Sequence, residues 1–356
     1  MASAPDQPHH PRLTLSLIGQ DAAEQRFLEA WTSGRLHHAW MLAGPRGIGK
    51  ATLAYRIARF VLASSAAGEV DMFGAPVAPT SLALPASHPV VARIASGGHK
   101  DLIAIERAWD AKRGKARSEI AVDQIRAIAD LLHLTPGEGG WRVVIVDPAD
   151  DLNTNAANAL LKMLEEPPRQ TLLMLVTHAP GALLPTIRSR CRRLDVAALS
   201  EGEVRRLLGN LRPDLAEPEA DALAVLGDGS IGRAMDLAEQ GGVELYRSVV
   251  TTLASGPDPE AVMALGDRCS RADGSLDVVI DLMRWWLARL ARAAARGSLP
   301  APAIEGEERA ARAVLARLPP DRLADAWTAI GTIFARADGL NLDRRQTVLD
   351  AFAALR

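Results

Sequence analysis

The chain has 356 residues, of which 48% are hydrophobic and 24% charged, and its formal net charge is −2. This length exceeds one hydrophobic core, so two or three domains are expected, and the near-neutral charge excludes a globally basic nucleic-acid-binding surface. The two cysteines, Cys191 and Cys269, are too few for a disulfide framework or a cysteine-rich zinc site. They suit the reducing cytosol, and we expect neither a signal peptide nor a membrane span.

The first predicted strand, Ala39–Ala43, leads directly into a glycine-rich loop, and Thr52–Leu62 follows with apolar residues at helical spacing. Strand, loop and helix are the context of the phosphate-binding motif G-x-x-x-x-G-K-[ST]. In that motif the backbone N–H groups wrap a phosphate, the lysine reaches the outer phosphates and the hydroxyl binds Mg²⁺. The segment therefore predicts a nucleotide site for ATP or ADP, whose glycines and lysine are Gly44, Gly47, Gly49 and Lys50.

One group of this motif is missing, because Ala51 stands where the hydroxyl is needed. Thr52 lies roughly 100° further round the helix and is not expected to replace it directly. We therefore expect weakened binding of Mg-nucleotide, with little dependence on Mg²⁺.

Two segments between the loop and the next strand carry less information. Ser64–Pro89 is rich in Ala, Ser, Gly and Pro, and its composition predicts an irregular loop. Lys112–Arg117 is a basic cluster in a predicted surface turn, which is either a solvated loop or a nucleic-acid contact.

The second informative strand is Val143–Val146, a β-branched run that ends at Asp147. An acidic residue at this place can hold Mg²⁺ directly or through water. Pro148 follows and has neither a carboxylate nor an N–H, while Asp150 is either a base or a charge at a helix N-terminus. With position 51 also altered, we expect very slow hydrolysis, since general-base assistance is typically worth about 10²–10⁴-fold.

A strong helix former, Ala156–Glu166, precedes a further strand at Thr171–Thr177. An exposed arginine in the following Ile187–Cys191 segment could reach a phosphate on a neighbouring subunit, or it could make an ordinary surface ion pair. An arginine supplied in trans to a phosphoryl transfer is worth about 10³–10⁵ in rate. Cys191 is expected to be a packing residue, because no histidine is paired with it.

Beyond Asp195 the sequence predicts helices only, with breaks at Pro213, Pro218 and the segment 227–232. Arg233 follows that last break and is either a phosphate-sensing residue or a helix-surface charge. The basic, tryptophan-bearing segment 284–296 is expected to pack into a helical bundle, although a membrane-surface helix is an alternative. Together the patterns predict an α/β domain with a parallel sheet, followed by helical domains.

These motifs together resemble the bacterial clamp-loader ATPase family, and the degenerate loop and missing glutamate are most similar to its delta-prime branch. The residues that carry the resemblance are His38-Ala39-Trp40, Val122-Asp123-Gln124-Ile125-Arg126, Asn158–Pro168 (NALLKMLEEPP), Arg188-Ser189-Arg190-Cys191, Gly229–Arg233 and Asn341-Leu342-Asp343-Arg344.

The resemblance implies a P-loop NTPase fold of the AAA+ type over 1–198, a small helical lid over 199–243 and a helical collar over 244–356. It implies a heteropentameric ring with motor (gamma/tau) and delta subunits, which opens the sliding clamp and loads it onto primed DNA. It further implies that Arg190 completes the ATP site of a neighbouring subunit and that Thr177 and Arg233 occupy sensing positions. The alternatives are an ATP-hydrolysing motor subunit of the gamma/tau type or another AAA+ ATPase, and a nucleotide-binding regulator that does not join a ring.

One departure from the family concerns zinc. Relatives have a four-cysteine zinc module after the first helix, whereas this chain has no cysteine between Phe60 and Lys100. We therefore expect no zinc. With DNA we expect only weak, salt-sensitive contact to the phosphate backbone.

Overall fold

The structure, a computed structural model, describes residues 9–64, 79–110, 115–133, 140–255, 258–271 and 275–355. The chain divides into two compact units, residues 1–203 and 204–356, which are described separately. The three-domain division at 198 and 243 stays a prediction.

The first unit contains a five-stranded sheet with the order β2-β5-β6-β1-β7, in which all neighbouring strands are parallel. A separate two-stranded hairpin pairs β3 with β4. The strands are β1 (Ala39–Ala43), β2 (Leu102–Ile105), β3 (Trp109–Asp110), β4 (Lys115–Ala116), β5 (Arg142–Val146), β6 (Thr171–Thr177) and β7 (Arg192–Asp195).

Helices connect these strands and account for the regular structure described after β7. They are α1 (Asp21–Thr32), α2 (Lys50–Ala63), α3 (Pro89–Ala95), α4 (Val122–His133), α5 (Thr154–Glu165), α6 (Pro185–Arg188), α7 (Glu201–Leu211), α8 (Glu217–Leu226), α9 (Ile231–Glu239), α10 (Gly242–Ala254), α11 (Pro259–Arg271), α12 (Ser275–Ala294), α13 (Glu307–Leu315), α14 (Pro320–Leu340) and α15 (Arg344–Ala353).

The sheet is buried on both faces, which explains the continuous apolar runs of its central strands. All residues of β1, β5 and β6 are buried. One face packs against α1 and α2, and the other packs against α4 and α5. The predicted fold class, a P-loop NTPase-type α/β unit with a parallel sheet followed by helices, is confirmed.

The strand register brings the carboxyl ends of β1, β2, β5 and β6 to one edge of the sheet. Ala43 pairs with Thr177, and Ile105 pairs with Val146. The residues that follow these strands therefore meet at this edge, which we call the carboxyl edge.

The second unit is helical, and none of the described residues after Asp195 lies in a strand. The predicted break at Pro218 is wrong, because this proline lies in the first turn of α8, where its missing N–H has no helical acceptor. Trp285 and Trp286 are buried, so the prediction that the basic helix packs into a bundle is confirmed.

Two sequence predictions fall partly outside the described residues. Residues 65–78 of the predicted loop 64–89 are not described, and 79–88 form no helix or strand. Residues 111–114 of the basic cluster are also not described.

Candidate functional site

The glycine loop lies at the carboxyl edge, between β1 and α2. Gly47 and Gly49 have φ values of +74° and +95°, a conformation that L side chains rarely adopt. Gly49 caps α2, and the first turn of α2 contains no acidic residue. The positive end of this helix therefore faces the loop with no carboxylate of its first turn to offset it.

The loop is fixed from two sides. The Gln20 side chain donates to the carbonyls of Ile48 (3.0 Å) and Ala197 (2.9 Å), which joins the loop to the chain after β7. A Cβ added to Gly44 would lie 2.3 Å from the carbonyl oxygen of Val196. These contacts restrict the backbone of the loop at Gly44 and Ile48.

Lys50 is buried and turns back onto this loop. Its Nζ donates to the Gly44 carbonyl at 2.8 Å and also to the Pro45 carbonyl. Burial lowers the pKa of Lys50 to about 8, although the negative charges of Asp147 and Asp150 act in the opposite direction. The ammonium is thus poorly solvated, and a bound phosphate would stabilise its charge.

Asp147 follows β5 and lies at the same edge, as the sequence predicted. Burial, and then the nearby Glu106 carboxylate, raise the pKa of Asp147 to about 6, while Lys50 lowers it. Glu106 follows the neighbouring strand β2, and its Oε1 lies 3.4 Å from His10 Nε2. The sequence analysis missed Glu106, whose position next to Asp147 depends on the pairing of β2 with β5.

Asp150 is engaged at the end of β6. Its carboxylate accepts hydrogen bonds from the Thr177 hydroxyl and from the backbone N–H groups of His178 and Ala179. Asp150 lies in the first turn of a short 3₁₀ helix, Ala149–Asp151, so the predicted helix-terminal charge is found, but its contacts with the end of β6 were not predicted. The hydroxyl of Thr177, the predicted sensing residue, is fully buried and donates to Asp150.

His178 lies next to this group and was not predicted. Burial, and then the positive charge of Lys50, lower the pKa of His178 to about 4, so the imidazole is neutral near pH 7. Position 51 of the glycine-loop motif carries no hydroxyl, because it is Ala51, and position 148 after β5 carries no carboxylate, because it is Pro148.

Arg190 lies two residues after the end of α6. One guanidinium nitrogen lies 2.9 Å from Glu165 Oε1, and the other donates to the Thr186 carbonyl at 3.1 Å. The Arg190 side chain is 37% exposed. The neighbouring Cys191 packs against the core, and burial raises the pKa of its thiol to about 12, which keeps it protonated.

Arg233 belongs to the second unit and is held within it. Its Nε donates to the Leu226 carbonyl at 2.9 Å, and its guanidinium lies 2.8 Å from the carboxylate of Asp281 on α12. Its predicted sensing role stays a prediction.

Within the described ranges, no group of three or more His, Cys, Asp or Glu residues is placed to hold a metal ion. Every helix in those ranges is too short or too polar to cross a bilayer.

Comparison with known proteins identifies the family. The family described as "DNA polymerase III, delta subunit" matches residues 19–200. The chain is 34% identical over 233 residues to the DNA polymerase III subunit delta' of Pseudomonas aeruginosa, a match that covers 64% of each chain.

Related subunits match over a smaller share of their length. The DNA polymerase III subunit gamma of Buchnera aphidicola is 30% identical over 64% of this chain and 58% of its own length. The subunit tau of Escherichia coli is 26% identical over 74% of this chain and 39% of its own length. The chain therefore spans less than two thirds of each of these relatives.

Two solved structures are also similar. A gamma subunit-related protein of Thermotoga maritima aligns with a TM-score of 0.38 and 19% identity, over 93% of this chain and 98% of that one. The RuvB Holliday junction branch migration motor of the same organism aligns with a TM-score of 0.41 and 18% identity, over 87% and 94%.

Proposed function

This chain belongs to the DNA polymerase III delta-subunit family of clamp-loader proteins, and from that premise we propose that it acts as a delta-prime-type subunit. In this role it is a scaffold of a heteropentameric ring that contains gamma/tau motor subunits and delta. The ring opens the sliding clamp and loads it onto primed DNA in the cytoplasm. The chain hydrolyses little or no ATP and supplies Arg190 to the ATP site of its neighbour.

The observation that carries this proposal is the contrast between Arg190, which is available to a neighbour, and the chain's own glycine loop, which lacks groups needed for hydrolysis. Arg190 is more than a third exposed and is held in place by its contacts with Glu165 and Thr186. At the chain's own loop, Ala51 and Pro148 provide neither the Mg²⁺ hydroxyl nor a general base. Asp150 does not replace them, because its carboxylate is occupied at the end of β6.

The loop nevertheless retains features that suit a phosphate. Gly47 and Gly49 give it the required backbone, and Lys50 Nζ donates to the carbonyls of Gly44 and Pro45, which a phosphate could replace. Mg²⁺ would lack its usual hydroxyl ligand. We therefore propose weak binding of ATP or ADP with little effect of Mg²⁺, and no zinc, because the chain has no cysteine near α3.

The trans role is tested with Arg190→Ala in a reconstituted loader. Because the neighbouring ATP site would lose a charge that is worth about 10³–10⁵ in rate, clamp- and DNA-stimulated ATP turnover should fall by at least about tenfold at that site. Arg188→Ala, an exposed arginine two residues earlier, is the matched control. Wild-type turnover with Arg190→Ala would refute the trans role.

A second candidate, an ATP-hydrolysing motor subunit, is favoured by one observation: Lys50 is retained. Steady-state ATPase measurements on the isolated chain distinguish the motor subunit from the non-hydrolysing scaffold. Turnover that disappears in Lys50→Ala would support the motor, whereas no turnover in the wild type would support the scaffold.

A further inference from the structure

Glu165 is the last residue of α5, and it makes the ion pair that holds Arg190. The distance from Glu165 Oε1 to the guanidinium is 2.9 Å, and both side chains are more than a third exposed. A pair of this exposure contributes only about 0–1 kcal/mol to folding, because water screens it. Stability therefore does not account for this arrangement.

The pair does restrict the orientation of Arg190. A guanidinium has five N–H donors in a rigid fork. Here one terminal nitrogen donates to the Thr186 carbonyl and the other lies 2.9 Å from Glu165 Oε1 in an ion pair, so the two contacts together restrict how the group can turn. The other N–H groups have no other hydrogen-bond acceptor among the described residues and are available to an external anion.

An arginine side chain loses considerable rotamer freedom when it is held in one geometry. If a free Arg190 side chain had to be ordered while it reached a phosphate of a neighbour, the lost rotamer entropy would raise the barrier of the catalytic step. A guanidinium already fixed by Glu165 needs less further ordering, which lowers the barrier.

We propose that Glu165 is a positioning residue: its carboxylate oxygen orients the Arg190 guanidinium for the phosphate of the neighbouring subunit. This inference rests on the trans role proposed for Arg190. Glu165 acts only through Arg190 and does not contact the nucleotide.

The test uses the complete loader with Glu165→Ala, Glu165→Gln and the control Glu166→Ala. Glu166 is the adjacent exposed glutamate, and it makes no ion pair within the described residues. Single-turnover ATP hydrolysis gives the rate constant, and a nucleotide titration gives the affinity. Gel filtration verifies that each variant enters the ring.

We expect Glu165→Ala to lower the hydrolysis rate constant by about fivefold with the nucleotide affinity unchanged. Glu165→Gln keeps an acceptor oxygen and should recover most of the rate, while Glu166→Ala should match the wild type. In an Arg190→Ala background, Glu165→Ala should have no further effect, because the two residues act as one unit.

An unchanged or increased rate in Glu165→Ala overturns the inference, and so does a Gln variant as slow as the Ala variant. An additive effect in the double variant also overturns it. If Arg190→Ala is slow while Glu165→Ala is normal, only the positioning role fails. If Arg190→Ala itself is normal, the proposed trans function fails.

Discussion

Asp150 joins two strand ends through a single carboxylate. It accepts the Thr177 hydroxyl and two successive backbone N–H groups, those of His178 and Ala179. Thr177 is fully buried, so its hydroxyl needs an acceptor inside the protein, and Asp150 supplies one. The Asp150 carboxylate therefore has a structural role at the ends of β5 and β6.

We predict that Asp150→Ala lowers the free energy of unfolding of the first unit by about 2–4 kcal/mol, because it leaves buried donors unsatisfied. Urea denaturation measures this change. Asp151→Ala is the control, since Asp151 makes a partly exposed ion pair with Arg107 and its loss should cost about 1 kcal/mol. Equal effects of the two variants would contradict the role of Asp150.

Lys50 gives the nucleotide site a predicted pH dependence. Its pKa is lowered to about 8 in the free protein, mainly by burial. A bound phosphate favours the charged form and raises this pKa, so binding takes up a proton near pH 8. Nucleotide affinity should therefore be highest below pH 8 and should fall up to about tenfold per pH unit above it.

Titration with a fluorescent ATP analogue between pH 7 and 9.5 measures this dependence. Lys50→Arg is the control, because an arginine stays charged over this range and its profile should be flat. A flat wild-type profile would show that Lys50 does not bind the phosphate.

At the level of elements, the segment from β1 to α2 was predictable because its signals are local. The apolar run, the glycines and the helical spacing are contiguous, and the predicted Ala39–Ala43 has the bounds of β1. The strands β5 and β6 were found for the same reason. By contrast, β2 and β7 were not predicted, because each is a four-residue strand that is not fully buried.

The partners within the site were not predictable from spacing. Glu106 reaches Asp147 only because β2 pairs with β5, and Glu165 reaches Arg190 across 25 positions of the chain. Thr177 and Asp150 likewise meet across the sheet edge. Sequence patterns identified residues that carry chemistry, whereas the fold determined which of them are engaged.

Gly44 shows how closely two elements approach. A Cβ at this position would lie 2.3 Å from the Val196 carbonyl oxygen, a backbone atom that cannot move alone. We predict that Gly44→Ala destabilises the first unit by about 2 kcal/mol or more, through strain between the loop and the chain after β7. Thermal unfolding measures it.

The control is Gly181→Ala, since a Cβ there meets no atom within 4 Å. It should change the stability by no more than about 0.5 kcal/mol. A Gly44 variant as stable as the Gly181 variant would mean that the loop has more freedom than its contacts indicate.

For the whole molecule, the proposed ring needs a surface that binds neighbours without contributing to the fold of the monomer. Leu340, the last residue of α14, and Leu342, two residues further on, are 65% and 46% exposed. They lie in the second unit, within or next to the motif Asn341–Arg344 that resembles the clamp-loader family. We therefore predict that this end of α14 contributes to assembly.

Leu340→Glu should leave the thermal stability of the isolated chain within about 0.5 kcal/mol of the wild type, because the side chain is already in water. In the ring the same carboxylate would be buried, so the affinity for motor and delta subunits should fall by at least about tenfold. Sedimentation of mixtures with motor and delta subunits over a concentration series measures this affinity. The matched control is Leu13→Glu, which changes a leucine of 37% exposure in the first unit and should assemble normally. Normal assembly of Leu340→Glu would place the contacts of the ring elsewhere on the chain.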